Sequence, residues 1–556
     1  MAALGANTTG YHNTAVGRDA MTANTTGIQN VAIGRNSLDA NTTGNYNTSI
    51  GVNAMTTSTT GGNNTACGKS ALGSNTDGND NTAVGHYALG TSSTGLQNVG
   101  VGCSALTAAT GAHNNVAVGH HAMVATTTGS FNTGVGLLAL SANTTGAQNV
   151  AIGYRALASN TTASFNTAVG DGCLDTNTTG TYNVALGSEA LAANTTASYN
   201  NAVGYKALES NTTGAQNVAV GSEALENNTS GHENCAIGMQ ALEENTTGVR
   251  NNAIGSNALD KNTTGSYNTA LGAYTLRDTT TANHNTAVGY KALLVNSTGS
   301  LNVGVGNSAL GANTTGTSNT AIGNFAMIAN TTANNCTVVG RSALPQSTTA
   351  DDCTAMGYAA LYSLSTGGYN TALGFQAAYN VTTGTGNVCL GYKAGMGQMT
   401  TTSNQLYVAR SNTAKGNAAT WIQGDDAGAC YQGNNSSSWS TTSDRRLKKN
   451  IVDNTKGLAE VNQLRVTNFE YRTEEEIDMS EFPLAEDAGQ VVLGEGNEGL
   501  HTGVIAQEIE NVLPECIKTS EEGAKTVQTD PIMWAMLNAI KELSAEVEQL
   551  KSQINN

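Results

Sequence analysis

Four cations stand within five positions of the stretch "TTSDRRLKKNI", Thr441 to Ile451: Arg445, Arg446, Lys448 and Lys449. They follow Ser443 and Asp444, with Leu447 among them and Asn450 behind. Each cation disfavours charge on the next, so such a cluster favours deprotonation of a lysine whose free pKa is near ~10.4. The same cluster also serves as a solvated patch, or as a partner for carboxylates. Residues 443–556 hold 22 Asp+Glu against 11 Lys+Arg.

Chemistry-bearing residues are sparse elsewhere. Residues 1–400 carry only 11 Lys+Arg and 17 Asp+Glu, with no phosphate loop and no paired carboxylates suited to cleaving a glycan. Of the 8 histidines only His120 and His121 are neighbours, and as strand residues they would point to opposite faces. The 9 cysteines lack metal-ligand spacing and read as reduced, packed thiols, with Cys336 and Cys353 one repeat apart. No metal and no cofactor are expected. An acidic chain of net charge −17 without a basic stripe is a poor nucleic-acid binder. No run approaches the ~18 apolar residues of a membrane span, and the opening "MAALGANTTG" shows no secretory signal.

The elements that must position these residues are dominated by one repeat. From Gly17 to Gly391 every seventeenth residue is glycine, 23 times without an insertion. Four residues before it stands Asn in 21 of 23 units, failing at Cys336 and Cys353. An apolar residue precedes every one of these glycines, as in Val16, Ile33 and Met356. Four residues after it comes Leu or Met in 21 units, failing at Ala378 and Gly395. Such phase makes each unit one turn of a continuous coil, because an insertion would unstack every later coil. "NTAVG" alternates as a strand and "ANTTG" carries turn chemistry.

The fold class is therefore mainly β, a β-roll or β-solenoid over residues 1–395, on the order of 110 Å long at ~4.8 Å per strand. Equivalent residues stack, so a charged position becomes a like-charge ladder, whereas Asn and Thr ladders bond along the axis. Inward groups are expected to be the residue before the Gly and the Leu/Met after it. That is a thin core, which calls for several chains together. Residues 3–10, "ALGANTTG", already lie in frame, so either the chain is truncated or the fibre joins another protein through this open end. Residues 396–442 lose the period and read as a β-rich neck.

The "NVAIG" units resemble the head repeats of trimeric autotransporter adhesins, which implies a homotrimer of left-handed parallel rolls. "SDRRLKKNI" resembles the opening motif of the peptidase S74 family, the intramolecular chaperones of phage tail fibres and tailspikes. "GVIAQEIENVLPE" resembles that family's second motif, with Gly503, Gln507, Glu508 and Pro514 at its positions. The resemblance implies that residues 443–556 are a small α+β chaperone domain that cuts itself free with a Ser–Lys dyad. By position the dyad is Ser443 and Lys448, and the scissile bond is Thr442–Ser443. Asp444, Arg445, Arg446, Leu447, Lys449 and Asn450 are the supporting motif. Residues i and i+5 lie about 140° apart on a helix, so such a dyad must meet across a turn.

A helix at about 531–555 closes the chain, with Ile540, Val547 and Ile554 at heptad a and Leu543 and Leu550 at d. That choice favours two strands in isolation, but under three heptads is too short to dictate the number, and the family implies three. These resemblances imply a homotrimeric phage tail fibre or similar virion appendage, assembled in the host cytoplasm. Its partners would be its own copies, tail proteins and a host-surface receptor, a glycan or outer-membrane component. Its one enzymatic act would be single-turnover serine self-cleavage, with no external substrate. The rival is an autotransporter-like surface adhesin.

Overall fold

The computed structural model describes residues 3–397, 399–410, 420–426, 430–432, 448–483, 499–520 and 523–554. They belong to two units, the repeat array with its β-rich end and the C-terminal segment. The array is a solenoid of 23 three-residue strands, β1 (Thr14–Val16) to β23 (Val388–Leu390). Consecutive strands pair in parallel one period apart, with Thr14 opposite Val31 and Val16 opposite Ile33. After β23 the parallel stack continues into β24 (Leu406–Ala409), one residue out of period, with Val388 opposite Leu406. Then β25 (Thr420–Gly424) and β26 (Cys430–Gln432) add in antiparallel fashion.

The glycine before each turn has a direct reason. Gly17 sits at φ +132°, and a Cβ there would lie 2.6 Å from the Gly34 carbonyl oxygen of the next coil. Positive φ recurs at other residue types, including the core position itself, as in Met21 at 55° and Leu38 at 52°. Left-handed backbone costs a bulky residue roughly 1–2 kcal/mol, so these turns persist only because stacking over-determines them.

Polar ladders run along the interior. The Asn30 amide N–H donates to Asn13 Oδ1 at 3.0 Å, and its Nδ2 donates to the Gly44 carbonyl at 2.9 Å. A second buried ladder links Asn41 Nδ2 to Asn24 Oδ1 at 2.8 Å. Outside it, Thr25 Oγ1 donates to the Thr42 carbonyl at 3.0 Å. Cys336 and Cys353 keep the first ladder without asparagine: the Cys336 Sγ–H reaches the Ala350 carbonyl, and the Cys353 amide donates to Cys336 Sγ. All nine cysteines are free.

The expected inward residue is corrected by the structure. Val16 is 57% and Ile33 39% exposed, whereas the middle strand residue, Ala32 and its equivalents, is fully buried. Most coils place a small residue there, with Val338 and Cys389 taken in at two of them. A Cβ on Gly100, at that middle position, would already stand 3.2 Å from the Ala105 carbonyl and 3.3 Å from Leu89 Cγ. Leu and Met four residues past the glycine do fill the core, as expected.

Candidate functional site

Thr442, Ser443, Asp444, Arg445, Arg446 and Leu447 lie outside the described residues; Lys448, Lys449 and Asn450 are described and exposed. Asn450 takes a left-handed conformation, φ 55°, which asparagine tolerates better than most residues and which turns the chain just past the basic cluster.

Beyond the basic cluster, the chain is held by the terminal helix. Helix α1 (Leu458–Val461) and helix α2 (Ala506–Val512) precede the long α3 (Thr529–Ile554). From α3, Asn538 Nδ2 donates to the carbonyls of Asn454 and Lys456, both at 2.9 Å. Glu542 Oε2 accepts the Leu458 amide at 2.7 Å, satisfying one of the orphan N–H groups that open α1. Glu542 also lies against Gly457, where a Cβ would collide with its carboxylate. Sequence reading did not find Asn538 and Glu542. Both fall off the a and d positions of the heptad, where polar residues ordinarily signal only solvent.

The second motif is spread over a small sheet and α2. Gly503 ends β28 (His501–Gly503), antiparallel to β27 (Thr467–Phe469), with Thr467 opposite it. A Cβ at Gly503 would stand 3.2 Å from the Phe469 ring, a tight approach. Gln507 and Glu508 open α2, and Pro514 starts the short helical turn after it. Arg465 grips Glu508 in a fork, Nε to Oε2 at 3.1 Å and Nη2 to Oε1 at 2.7 Å. Gln507 is exposed, while Ile509, Leu513, Cys516 and Ala535 form the core beneath. The hairpin of β29 (Ile517–Thr519) and β30 (Lys525–Val527) packs beside α2, and Lys525 pairs with Glu510.

Helix α3 turns two faces to different uses. Ala535 and Ala539 are buried in the unit, while Ile540, at heptad position a, is 62% exposed. Leu543, Val547, Leu550 and Ile554 are likewise exposed. Both motifs precede α3 in the chain, and one core joins the second of them to that helix. Residues 443–518 match the family model described as chaperone of endosialidase, the peptidase S74 family. The chain carries a chaperone segment of that family. No curated protein and no solved structure matched the chain. No described helix is long and apolar enough to cross a membrane.

Two further groups in the array bear on chemistry. The expectation that His120 and His121 point apart is overturned: both follow Gly119 in a turn beyond the strand Val116–Val118, and their rings stack with centroids 4.0 Å apart. Glu223, Glu226 and Glu243 bring carboxylate oxygens within 4.8 Å of one another. Burial and the carboxylates of Asp260, Glu223, Glu226 and Glu244 push Glu243 up to about 7. This is the like-charge ladder that the rest of the array avoids. Lys206 offsets part of it, 3.0 Å from Glu209 and 3.4 Å from Glu226.

Proposed function

We propose that the protein is a homotrimeric fibre of a phage tail, with a C-terminal chaperone that aligns the three chains and then releases itself. The observation that carries this reading is the outward strand face. Two columns run the length of the array, Thr14, Val31, Thr48 onward and Val16, Ile33, Ile50 onward, with no charged residue in either over 23 coils. A monomeric soluble protein rarely leaves so long an apolar strip to water. Two further copies would cover it, and the exposed a/d seam of α3 would join the same three chains at the other end. The N-terminal coils would meet other tail proteins, and the assembled fibre a glycan or outer-membrane component of the host.

Register is the task the chaperone would solve. Near-identical coils pair one period out of step at little local cost, and contacts between distant segments form slowly. A terminal domain that trimerises first sets all three chains level. Release would come at Thr442–Ser443: Ser443 Oγ attacks the Thr442 carbonyl carbon while Lys448 accepts the hydroxyl proton. As the C–N bond breaks, Lys448 returns a proton to the departing Ser443 amine, and water hydrolyses the ester left on Ser443 Oγ. Without its template the finished rod would be held by a high unfolding barrier.

Mass spectrometry and light scattering on the expressed chain test both halves. Wild type should yield a trimeric fibre and a fragment beginning at Ser443, while Ser443→Ala and Lys448→Ala stay full length yet trimeric. A monodisperse monomer overturns the fibre reading. A folded trimer that never cuts overturns the dyad.

A further inference from the structure

The stacking that suppresses charge also aligns metal ligands. One residue past the repeat glycine, three successive coils carry His86, Cys103 and His120, each 17 residues after the last. Backbone bonds lock these rungs together. The Ser104 N–H donates to the His86 carbonyl at 2.9 Å, His121 to Cys103 at 3.0 Å and Leu138 to His120 at 3.1 Å. Equivalent Cα atoms in such a stack are ~4.8 Å apart.

We propose that His86, Cys103 and His120 form a surface site for one zinc-class divalent cation per chain, water taking the fourth position. The His86 Nδ1–Cys103 Sγ separation is 3.9 Å. Tetrahedral zinc, with bonds of ~2.3 Å to sulfur and ~2.05 Å to nitrogen, sets its N and S ligands about 3.6 Å apart. Two of the three donors thus already stand within a few tenths of an ångström of ligand spacing. His120 occupies the next rung, exposed, its ring laid on that of His121. To complete the set its imidazole would leave the His121 ring and turn toward Cys103 on the rung before it. Imidazole and thiolate donors select zinc-class ions over calcium or magnesium, which take oxygen. The column is bounded by Lys69 below and Leu137 above, neither a ligand for a dication, which limits the site to one ion. Binding converts the Cys103 thiol to thiolate and releases that proton to solvent.

The test is titration of the full chain with Co2+ under a phosphine reductant, followed by Zn2+. A thiolate-to-cobalt charge-transfer band should saturate at one ion per chain, vanish on adding Zn2+, and be absent in Cys103→Ser. His86→Ala and His120→Ala should each weaken binding at least ~10-fold. Cys67→Ser, which removes another exposed thiol in a different column, should leave the band unchanged. A wild type without a saturable band, or a band that survives Cys103→Ser, overturns the site. So does a His120→Ala protein that binds as tightly as wild type. His86, Cys103 and His120 are exposed or half-buried on turns and Cys67 is exposed at a strand end, so the variants should keep the fold, which circular dichroism checks directly.

Discussion

Repairing a broken rung of the inner asparagine ladder should stabilise the rod. That ladder runs from Asn143 to Asn262, and Asn262 Nδ2 donates to Asn245 Oδ1 at 2.8 Å. At the next coil the residue is Thr279, and both Asn262 Oδ1 and Thr279 Oγ1 are buried without a partner. One coil further, Asn296 Nδ2 bonds only the Gly299 carbonyl. Thr279→Asn would supply a donor to Asn262 and an acceptor to Asn296. The backbone already suits it, since the Thr279 amide bonds Leu276 at 3.1 Å just as Asn262 bonds Leu259 at 3.1 Å. Asn and Thr have nearly equal volumes, so no cavity or overlap arises. Two net hydrogen bonds at ~0.5–1.5 kcal/mol each give about 1–3 kcal/mol. Hydrogen exchange read by mass spectrometry reports this locally: amides of the coils around residue 279 should exchange roughly 5- to 150-fold more slowly. Thr279→Ser should give no gain, and Asn228→Ser should speed exchange in its own coils. Unchanged or faster exchange in a folded Thr279→Asn protein would refute the reasoning that ladder continuity, rather than the individual turns, holds the coils.

Gly238→Ala places a Cβ 2.5 Å from the Gly255 carbonyl at φ +138°, so a conformational cost of about 1–3 kcal/mol adds to a backbone collision; its melting temperature should fall well below that of Ala241→Gly. Glu243 holds its proton more tightly folded than at its usual 4.5, so the folded state binds more protons between that value and about 7. Stability should therefore fall as pH rises through this window, and Glu243→Gln should melt higher at pH 8 with a flatter pH dependence; an unchanged pH profile would sink the assignment. Val220→Glu with Ile237→Glu, on the exposed strand face, should convert the proposed trimer to monomer in sedimentation while leaving the coil's circular dichroism intact. Ile540→Glu, on the uncovered seam of α3, should give mixed or aggregated fibres because it disturbs chain alignment and not the coil itself.

Much of this molecule is legible in one dimension because its main unit is periodic. The unbroken spacing of glycines, the ladder-forming Asn and Thr, and the buried Leu and Met were all open to reading without coordinates, since stacking forces equivalent residues to share one environment. The chaperone motifs were legible for a different reason: short stretches of unusual charge and order stand out against a background nearly free of both. Three matters needed the fold. The inward side of each strand went to Ala32 and its equivalents, not to Val16 and Ile33, because the interior is already filled by the Leu or Met side chains and takes the smaller strand residue, and which face turns inward is not written in an alternating pattern. The stacked His120 and His121 rings depend on a left-handed residue beyond the strand end, which alternation alone misassigns to opposite faces. Asn538 and Glu542 meet the chain behind the basic cluster across 80-odd residues, from 454–458 to α3. Local pattern encodes what repeats or what is adjacent. Long-range contacts between unlike residues are decided only when the chain closes on itself, because their energy depends on distances that sequence separation does not set.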